Sequence, residues 1–474
     1  MKVLLLQPPI QDFYDTDVRL LPVGLGYLKS AAVKFLPGVS VTVRDYHHGW
    51  GRRTVRLPEE LSYLRSYYRE ADKSPFSVFH QYYHYGASYD ELAADAAALA
   101  PDLIGISSLF SPYYREVLDT ARAIKTRIGV PIVAGGSHAS ALPETLLACP
   151  DIDFVVRGEG ERAFVELVRA LRDGEPLEGV PNLTYRQNGG IRSNAIRPNY
   201  PIDEIPMPDL SDFDDGRYAY DGKAMSVIIT SRGCPYHCRF CSVHRTFSEP
   251  YRRRTHESIL EEIRARYDRG VRVFDFEDDN LTYERGPCRE LFETVAGRYP
   301  SRDIQLLAMN GVSYWDLDDD LLETMHRAGF THLNLSLVSA NPDVSKNCRR
   351  PLDLEKHRRV ALKAFGLGMK VVTYQILGLP GEDLESTVRG LVHAAELPGL
   401  IGASPFYLPP GSPLFESSPQ RRLNPVTARL TALGGEVASL PPDRIYTLLV
   451  LVRILNFLKG LPVAAPEISL SDCL

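Results

Sequence analysis

The sequence predicts an α/β protein in two halves: a doubly wound parallel sheet, then a partial (β/α)6 barrel of the TIM type with a short helical C-terminal region. Three observations carry that expectation. Short apolar runs alternate with helical patterns along most of the chain, as they do in β-α-β units that build parallel sheets. A stretch rich in Pro and Asp with no sustained period, "NYPIDEIPMPDLSDFDDGRYAYDG" at 199–222, reads as a linker. Five strand-like runs precede it and six follow it.

In the first half the strand-like runs are "KVLLLQ", "VSVTVRD", "DLIGISS", "PIVAGG" and "DFVVRGEGE", and residues 23–36, 112–127 and 161–172 are helical in pattern. They predict one doubly wound domain over residues 1–198. Ligands of such sheets sit beyond the carboxyl ends of the strands. This chain has Gln7-Pro8-Pro9, Ser107-Ser108-Leu109, Gly135-Gly136-Ser137-His138 and Gly158-Glu159-Gly160 at those places. Each turn is either plain turn chemistry, with Gly where φ must be positive, or part of a site. Between the second and third strands, residues 50–95 hold "YLRSYYRE" and "FSVFHQYYHYGASY". So dense an aromatic stretch is expected to pack as a helical lid over a satellite core, or to wall a flat cofactor or substrate.

In the second half, residues 223–420, the runs are "MSVIIT", "VRVFDFE", "DIQLLAM", "HLNLSLV", "KVVTYQILG" and "LIGASPFYL". Helical patterns at 255–269, 353–365 and 383–397 lie between them, with Thr255 as N-cap and Gly270 as stop of the first. Right-handed connections curl such strands into a barrel-like sheet whose active face is the carboxyl end. Residues 421–474 are expected to be a helical C-terminal region.

Composition narrows the function. The 474 residues are 44% hydrophobic and 24% charged, which argues against disorder and allows two or three domains with substantial cores. The net charge is -6, and Lys and Arg are scattered apart from Arg252-Arg253-Arg254, so no footprint for nucleic acid is present. Small-molecule or peptide substrates are expected instead. The N-terminal apolar run ends at Pro8-Pro9, too early for a signal-peptide core. No stretch reaches the roughly 18 apolar residues of a membrane span, and "IYTLLVLVRILNFLKG" at 445–460 is interrupted by Arg453. The ending "SDCL" carries no lipidation signal. A cytoplasmic location follows, where cysteines serve metals or catalysis more often than disulfides. The odd count of seven agrees with that.

Three of the seven, Cys234, Cys238 and Cys241, fall within eight positions of "SRGCPYHCRFCS", directly after a strand. Pro235 keeps the loop from being regular helix. Thiolates so spaced bind zinc or an iron-sulfur cluster. Zinc needs four ligands, which His237 or His244 could complete. A cubane held by three cysteines leaves one iron open, and an open iron is a catalytic site.

With Phe240 just before its last cysteine, the loop closely resembles the cluster loop of the radical S-adenosylmethionine (SAM) enzymes. The order of the halves resembles the cobalamin-dependent branch of that family, and the likeness covers roughly residues 1–420. It implies three cofactors: a four-iron four-sulfur (4Fe-4S) cluster on Cys234, Cys238 and Cys241, SAM chelated at the open iron, and cobalamin on the first half. It also implies reductive cleavage of SAM to a deoxyadenosyl radical that abstracts hydrogen, and an electron donor such as flavodoxin or ferredoxin.

Carried over residue by residue, "FDFEDDN" at 274–280 ends the second barrel strand, where the family contacts the SAM amino group, often through Gly-Gly-Glu. Here Glu277, Asp278 and Asp279 stand there, and a carboxylate accepts charge-assisted bonds from an ammonium. Magnesium binding or a solvated strand end are the rival readings. Ser336 in "NLSLVS" is expected near the SAM carboxylate or ribose, although Val338 stands where many relatives are acidic. Gly378 and Gly381 in "ILGLPGE" are expected to let backbone approach the adenine. Glu382 would otherwise favour a helix dipole from the first turn. Arg252 to Arg254 are read as a phosphate or carboxylate site or as a solvated helix approach. For cobalamin, the expected contacts are Gln7, Pro8, Pro9, Ser107, Ser108, Leu109, Gly135, Gly136, His138, Glu159 and Gly160. The Asp-x-His-x-x-Gly that ligates cobalt is missing after the first strand, so His47 in "DYHHGW" is read as a loop histidine.

These implications converge on a cobalamin-dependent methyltransferase that moves a methyl group from SAM to an unactivated carbon or phosphorus. The alternatives are oxidation, cyclisation or rearrangement by the same cofactors, and a non-catalytic zinc-stabilised cobalamin sensor.

Overall fold

The structure is a computed structural model that describes residues 1–14, 21–72, 74–213, 216–247, 250–300, 303–422 and 424–460. Strand β1 (Lys2–Gln7) is buried along almost its whole length. Its side chains alternate between two cores. Val3 and Leu5 pack with Leu25, Ala32 and Phe164, whereas Leu4 and Leu6 pack with Leu92, Ala121 and Ile132. A strand feeding a helical layer on each face is the central element of a doubly wound sheet.

The sheet continues with β2 (Ser40–Asp45), β3 (Leu103–Ser107), β4 (Ile132–Gly135), β5 (Phe154–Val156), β6 (Leu183–Gln187) and β7 (Gly190–Ser193), in the order β7-β6-β5-β4-β3-β1-β2. Strands β1 to β5 are parallel. Their order, 2-1-3-4-5, is the flavodoxin-like one, whose switch point lies between β1 and β3. An antiparallel hairpin, β6–β7, extends the sheet beyond the five expected strands. Asn188 and Gly189 turn it with φ of 53° and 77°, the backbone a two-residue hairpin loop requires.

Residues 199–222 are not a free linker. Asp209 and Asp212 pair with Lys29 at 3.2 and 2.7 Å, and Tyr218 donates to Asp45, so the segment straps the first helix and β2. Gly26 permits the approach, since a Cβ there would meet Leu210 at 2.7 Å.

Six parallel strands follow: β8 (Lys223–Ile228), β9 (Val273–Phe276), β10 (Gln305–Leu307), β11 (His332–Val338), β12 (Lys370–Leu377) and β13 (Leu400–Pro405). Ladders join β8-β9-β10 and β11-β12-β13, and bridges at Leu306–Phe330 and Val312–Leu335 link the two sets into one partial barrel. Phe274 and Phe276 of β9 pack into the core beneath the outer helices, where Phe276 meets Phe292 at 5.4 Å. By alternation Asp275 and Glu277 take the other face. Thr255 occupies the N-cap position of helix His256–Asp268, yet its side chain makes no cap bond.

Residues 50–95 do not form a continuous helical lid. Pro58, Pro75 and Gly86 interrupt them, and the chain makes a 3-10 helix (Glu59–Ser66), strands Arg52–Thr54 and Tyr83–Tyr85 that join Ile10–Asp12 in a small antiparallel sheet, and then helix Tyr89–Ala98. The aromatic satellite core does exist: Phe13, Tyr68 and Tyr82 pack with Leu433, Ile445 and Leu448 of the C-terminal region. Helix Pro442–Gly460 runs along the edge strand β13, with Asn456 and Ile401 exchanging two bonds of 2.8 Å. Arg453 reaches the insertion and donates to Ser77 O and Val78 O at 2.6 and 2.9 Å. The edge of the barrel is thereby covered rather than exposed. Among the described residues no helix is long and apolar enough to cross a membrane. Cys473 lies outside them.

Candidate functional site

Strand β8 delivers the chain to Thr230-Ser231-Arg232-Gly233-Cys234. Two acidic residues from the end of β9 fix this entrance. Asp278 is buried and accepts from Thr230 N at 3.1 Å, Thr230 Oγ1 at 2.7 Å and Ser231 Oγ. Asp279 Oδ2 accepts from Gly233 N at 3.0 Å, across a glycine whose φ is 78°. Beyond it Cys241 N closes a turn on Cys238 O at 3.1 Å, and Arg239 is anchored by backbone bonds to Cys348 and Leu414. Cys234 and Cys241 each sense the charge of Cys238 and of Asp279, so the three thiols and that carboxyl lie near one another. Burial pushes the Cys241 thiol up to about 12 and raises Cys234. Thiolates there need a strong positive charge, which a bound metal cluster provides. Three soft donors in one loop therefore fit the 4Fe-4S group. Cys288 and Cys348 are buried in apolar cores, and Cys149 is buried with its thiol toward Asp151.

Among the described residues no three His, Cys, Asp or Glu side chains gather about one ion-sized point. His237 stacks on His244 at 4.3 Å, and His244 Nε2 is engaged by Tyr236 O at 2.9 Å.

The three carboxylates after β9 have separate surroundings. Asp278 is a brace whose bonds tie the loop to the barrel. Glu277 shares a hydrogen bond with Asp275, and burial together with that neighbour pushes it up to about 9. Asp279 keeps the most solvent-accessible surface of the three, beside Cys234 and Cys241, yet the protein around it desolvates the carboxyl and pushes it up to about 6.

Ser336 accepts from Arg350 Nη2 at 2.8 Å, and Arg350 Nη1 lies 3.9 Å from Cys238 Sγ. Nothing local in the sequence singles out Arg350. Val338 has φ 74° at an irregularity in the β11–β12 register, a strained state for a β-branched residue. Its side chain packs with Leu379 and Phe406, and Phe240 lies against the same apolar cluster. Gly378 and Gly381 have φ of 81° and 85°, as a tight turn requires. The space a Cβ on Gly378 would take is filled by Ala438 at 3.1 Å and Ile445 at 3.3 Å, so that side faces the C-terminal region. Glu382 turns inward to accept from Ser339 Oγ at 2.6 Å, and burial pushes it up to about 7. Asp383, not Glu382, caps helix Leu384–Glu396.

The turns of the first sheet divide likewise. Gln7, Pro8 and Pro9 are buried, and Gln7 donates to Asp45 at 3.3 Å. Ser107 is partly open, Ser108 is buried with its Oγ unpartnered, and Leu109 and Phe110 stand 42% and 43% exposed at the switch point. Gly135 and Gly136 are half-buried. Gly136 has φ 130°, and a Cβ there would lie 2.6 Å from Ser108 O. His138 turns into the core: its two ring nitrogens are engaged by Ser111 and Thr145 at 3.0 and 2.9 Å. Glu159 is an interdomain latch, pairing with Arg232 at 2.9 Å and Arg252 at 2.6 Å, while Glu161 also pairs with Arg232. Gly160 packs toward Leu28. Arg254 pairs with Glu262 at 2.7 Å, so the basic run is interior. His47 is 1% exposed with Nε2 unpartnered.

Two family models match, Radical SAM superfamily over residues 228–389 and B12 binding domain over 63–168. An uncharacterized methyltransferase of Pyrococcus horikoshii is 30% identical over 397 residues, covering 82% of this chain and 77% of that protein. The cytidylyl-2-hydroxyethylphosphonate methyltransferase of Streptomyces wedmorensis is 27% identical over 450 residues, covering 86% and 79%. Among solved structures, the radical SAM methyltransferase TsrM of Kitasatospora setae, with tryptophan substrate and a SAM analogue bound, superposes with a TM-score of 0.69 at 16% identity, over 98% of this chain and 90% of that one. The double domain match, the cysteine loop and the likeness to these enzymes agree, and the chain belongs to the cobalamin-dependent radical SAM enzymes, as a methyltransferase that uses a 4Fe-4S cluster, SAM and cobalamin.

Proposed function

We propose that this enzyme moves the methyl group of SAM to an unactivated carbon or phosphorus of a small molecule. The observation that carries the reading is the latch: Arg232, two residues before Cys234, is paired with Glu159 and Glu161 after β5 of the other domain. It supports a single cleft in which both cofactor faces meet one substrate. When bound, the cluster supplies the electron that cleaves SAM, and cobalamin supplies a methyl carrier.

The chain's own residues bind and exclude. Cys234, Cys238 and Cys241 hold the cluster. Asp279 accepts hydrogen bonds from the SAM amino group, favoured by its openness beside two of those thiols. Asp278 holds the loop rather than the substrate. In this reading Leu109 and Phe110, exposed just after β3, and Tyr407, which senses the charge of Cys241, keep water from the reactive centre. The reductant is an external one-electron donor of the flavodoxin or ferredoxin class. Phosphorus or carbon as the acceptor is read from the relatives' substrates, a cytidylyl-phosphonate and an amino acid.

The test is a comparison of small molecules from cells with and without the gene, grown on methyl-labelled methionine. A labelled metabolite found only with the active gene, and absent with Cys238→Ala, is expected. A metabolite altered by the gene but carrying no label would refute methyl transfer.

A further inference from the structure

We infer that Arg350 sets the reduction potential of the cluster, as a positioning residue held by Ser336. This rests on the reading that the three cysteines carry that cluster. The backbone dictates the placement. Arg349 has φ 54°, which reverses the chain after helix Pro342–Asn347, and Arg350 N bonds back to Ser345 O at 2.8 Å. The guanidinium is thereby aimed at the cysteine loop. Its Nη2 donates to Ser336 Oγ at 2.8 Å, its Nη1 lies 3.9 Å from Cys238 Sγ, and it stands 6.0 Å from the centre of the Tyr236 ring.

Two features make its charge count. The residues its Nη groups reach, Ser336 and Cys238, bring no carboxylate, and its Nε is buried without a partner. An uncancelled cation in a partly buried place acts on its neighbour far more strongly than one in water. Arg239 and Arg349 also flank the loop, yet Arg349 is exposed and screened by solvent. A cluster that accepts one electron becomes more negative by one charge. A fixed cation beside one of its sulfur ligands favours the reduced form and raises the potential, as hydrogen bonds to cluster sulfurs do. Arg keeps its charge at any working pH.

The experiment uses the full chain, reconstituted anaerobically with iron and sulfide and titrated with a low-potential one-electron reductant in the absence of SAM. Iron content and the spin-resonance signal of the reduced cluster are read for the parent, Arg350→Gln, Arg350→Lys, Ser336→Ala and Arg349→Gln. Arg350→Gln is expected to keep full iron while its ratio of reduced to oxidised cluster at fixed potential falls roughly tenfold, about 59 mV for one electron. Ser336→Ala should move the same way by less, Arg350→Lys should retain most of the parent's ratio, and Arg349→Gln should match the parent. A ratio in Arg350→Gln within twofold of the parent, or an equal fall in Arg349→Gln, overturns the inference. Should Arg350→Gln load no cluster, Ser336→Ala decides: an unshifted ratio there overturns it. A parent without four irons overturns the cluster reading itself, and the iron count shows this before any potential is measured.

Discussion

Arg232 and Glu159 meet at 2.9 Å with side chains 8% and 5% exposed, although one leaves the barrel and the other leaves the first sheet. Burial opposes ionisation of the neighbouring Glu161, but the charge and hydrogen bond of Arg232 outweigh it and hold its carboxyl below the usual range. The cysteine loop is therefore built against the other domain, and its position depends on a buried ionic network.

Removing one member of such a network leaves uncompensated charge, which costs about 3–5 kcal/mol. Arg232→Met is expected to lower the urea midpoint by that equivalent and to reduce cluster retention. Glu159→Gln should do less, because Glu161 still faces Arg232. Equal stability of Arg232→Met and the parent would contradict the latch.

The three loop cysteines should act as a set. Cys234→Ala, Cys238→Ala and Cys241→Ala are each expected to lose the visible absorbance and most of the iron after anaerobic reconstitution, whereas Cys149→Ala and Cys348→Ala keep both. A full cluster in Cys238→Ala would contradict the assignment.

Asp278 and Asp279, though adjacent, should fail differently. Asp279→Asn is expected to keep the cluster and bind SAM at least tenfold more weakly, about 1.4 kcal/mol, by equilibrium dialysis. Asp278→Ala removes the acceptor for Thr230 and Ser231 and should lose iron instead. The reverse pattern would exchange their roles.

Burial lowers His138 to about 4. Its folded value lies below the unfolded one near 6.5, so it contributes stability that is complete above about pH 6.5 and is lost as pH falls toward 4. Across that window the stability advantage of the parent over His138→Gln should shrink by about 1.4 kcal/mol per pH unit. Parallel stability profiles for the two proteins would contradict a neutral, buried His138.

Which parts were readable follows from range. Strands such as Lys2–Gln7 and the cysteine loop are written in consecutive residues, and so is the hairpin at Asn188-Gly189, whose two-residue turn is a local signal. The roles of Glu159 and Gly378 depend on partners far along the chain. Glu159 reads as a strand-end turn until Arg232, 73 positions away, reaches it. Gly378 looks like a ligand turn until Ala438 and Ile445 fill its open side. Arg350 carries no pattern at all, because its partners Ser336 and Cys238 come from another strand and another loop.

Methyl transfer by this enzyme should consume SAM in two ways, and product accounting reads both. The enzyme, loaded with cluster and cobalamin, is incubated with methyl-labelled SAM, a low-potential reductant and the substrate recovered from the cellular comparison. Labelled product together with both S-adenosylhomocysteine and deoxyadenosine is the expected result. Modified product and deoxyadenosine, with neither S-adenosylhomocysteine nor label transfer, would contradict it and leave oxidation, cyclisation or rearrangement as the reaction.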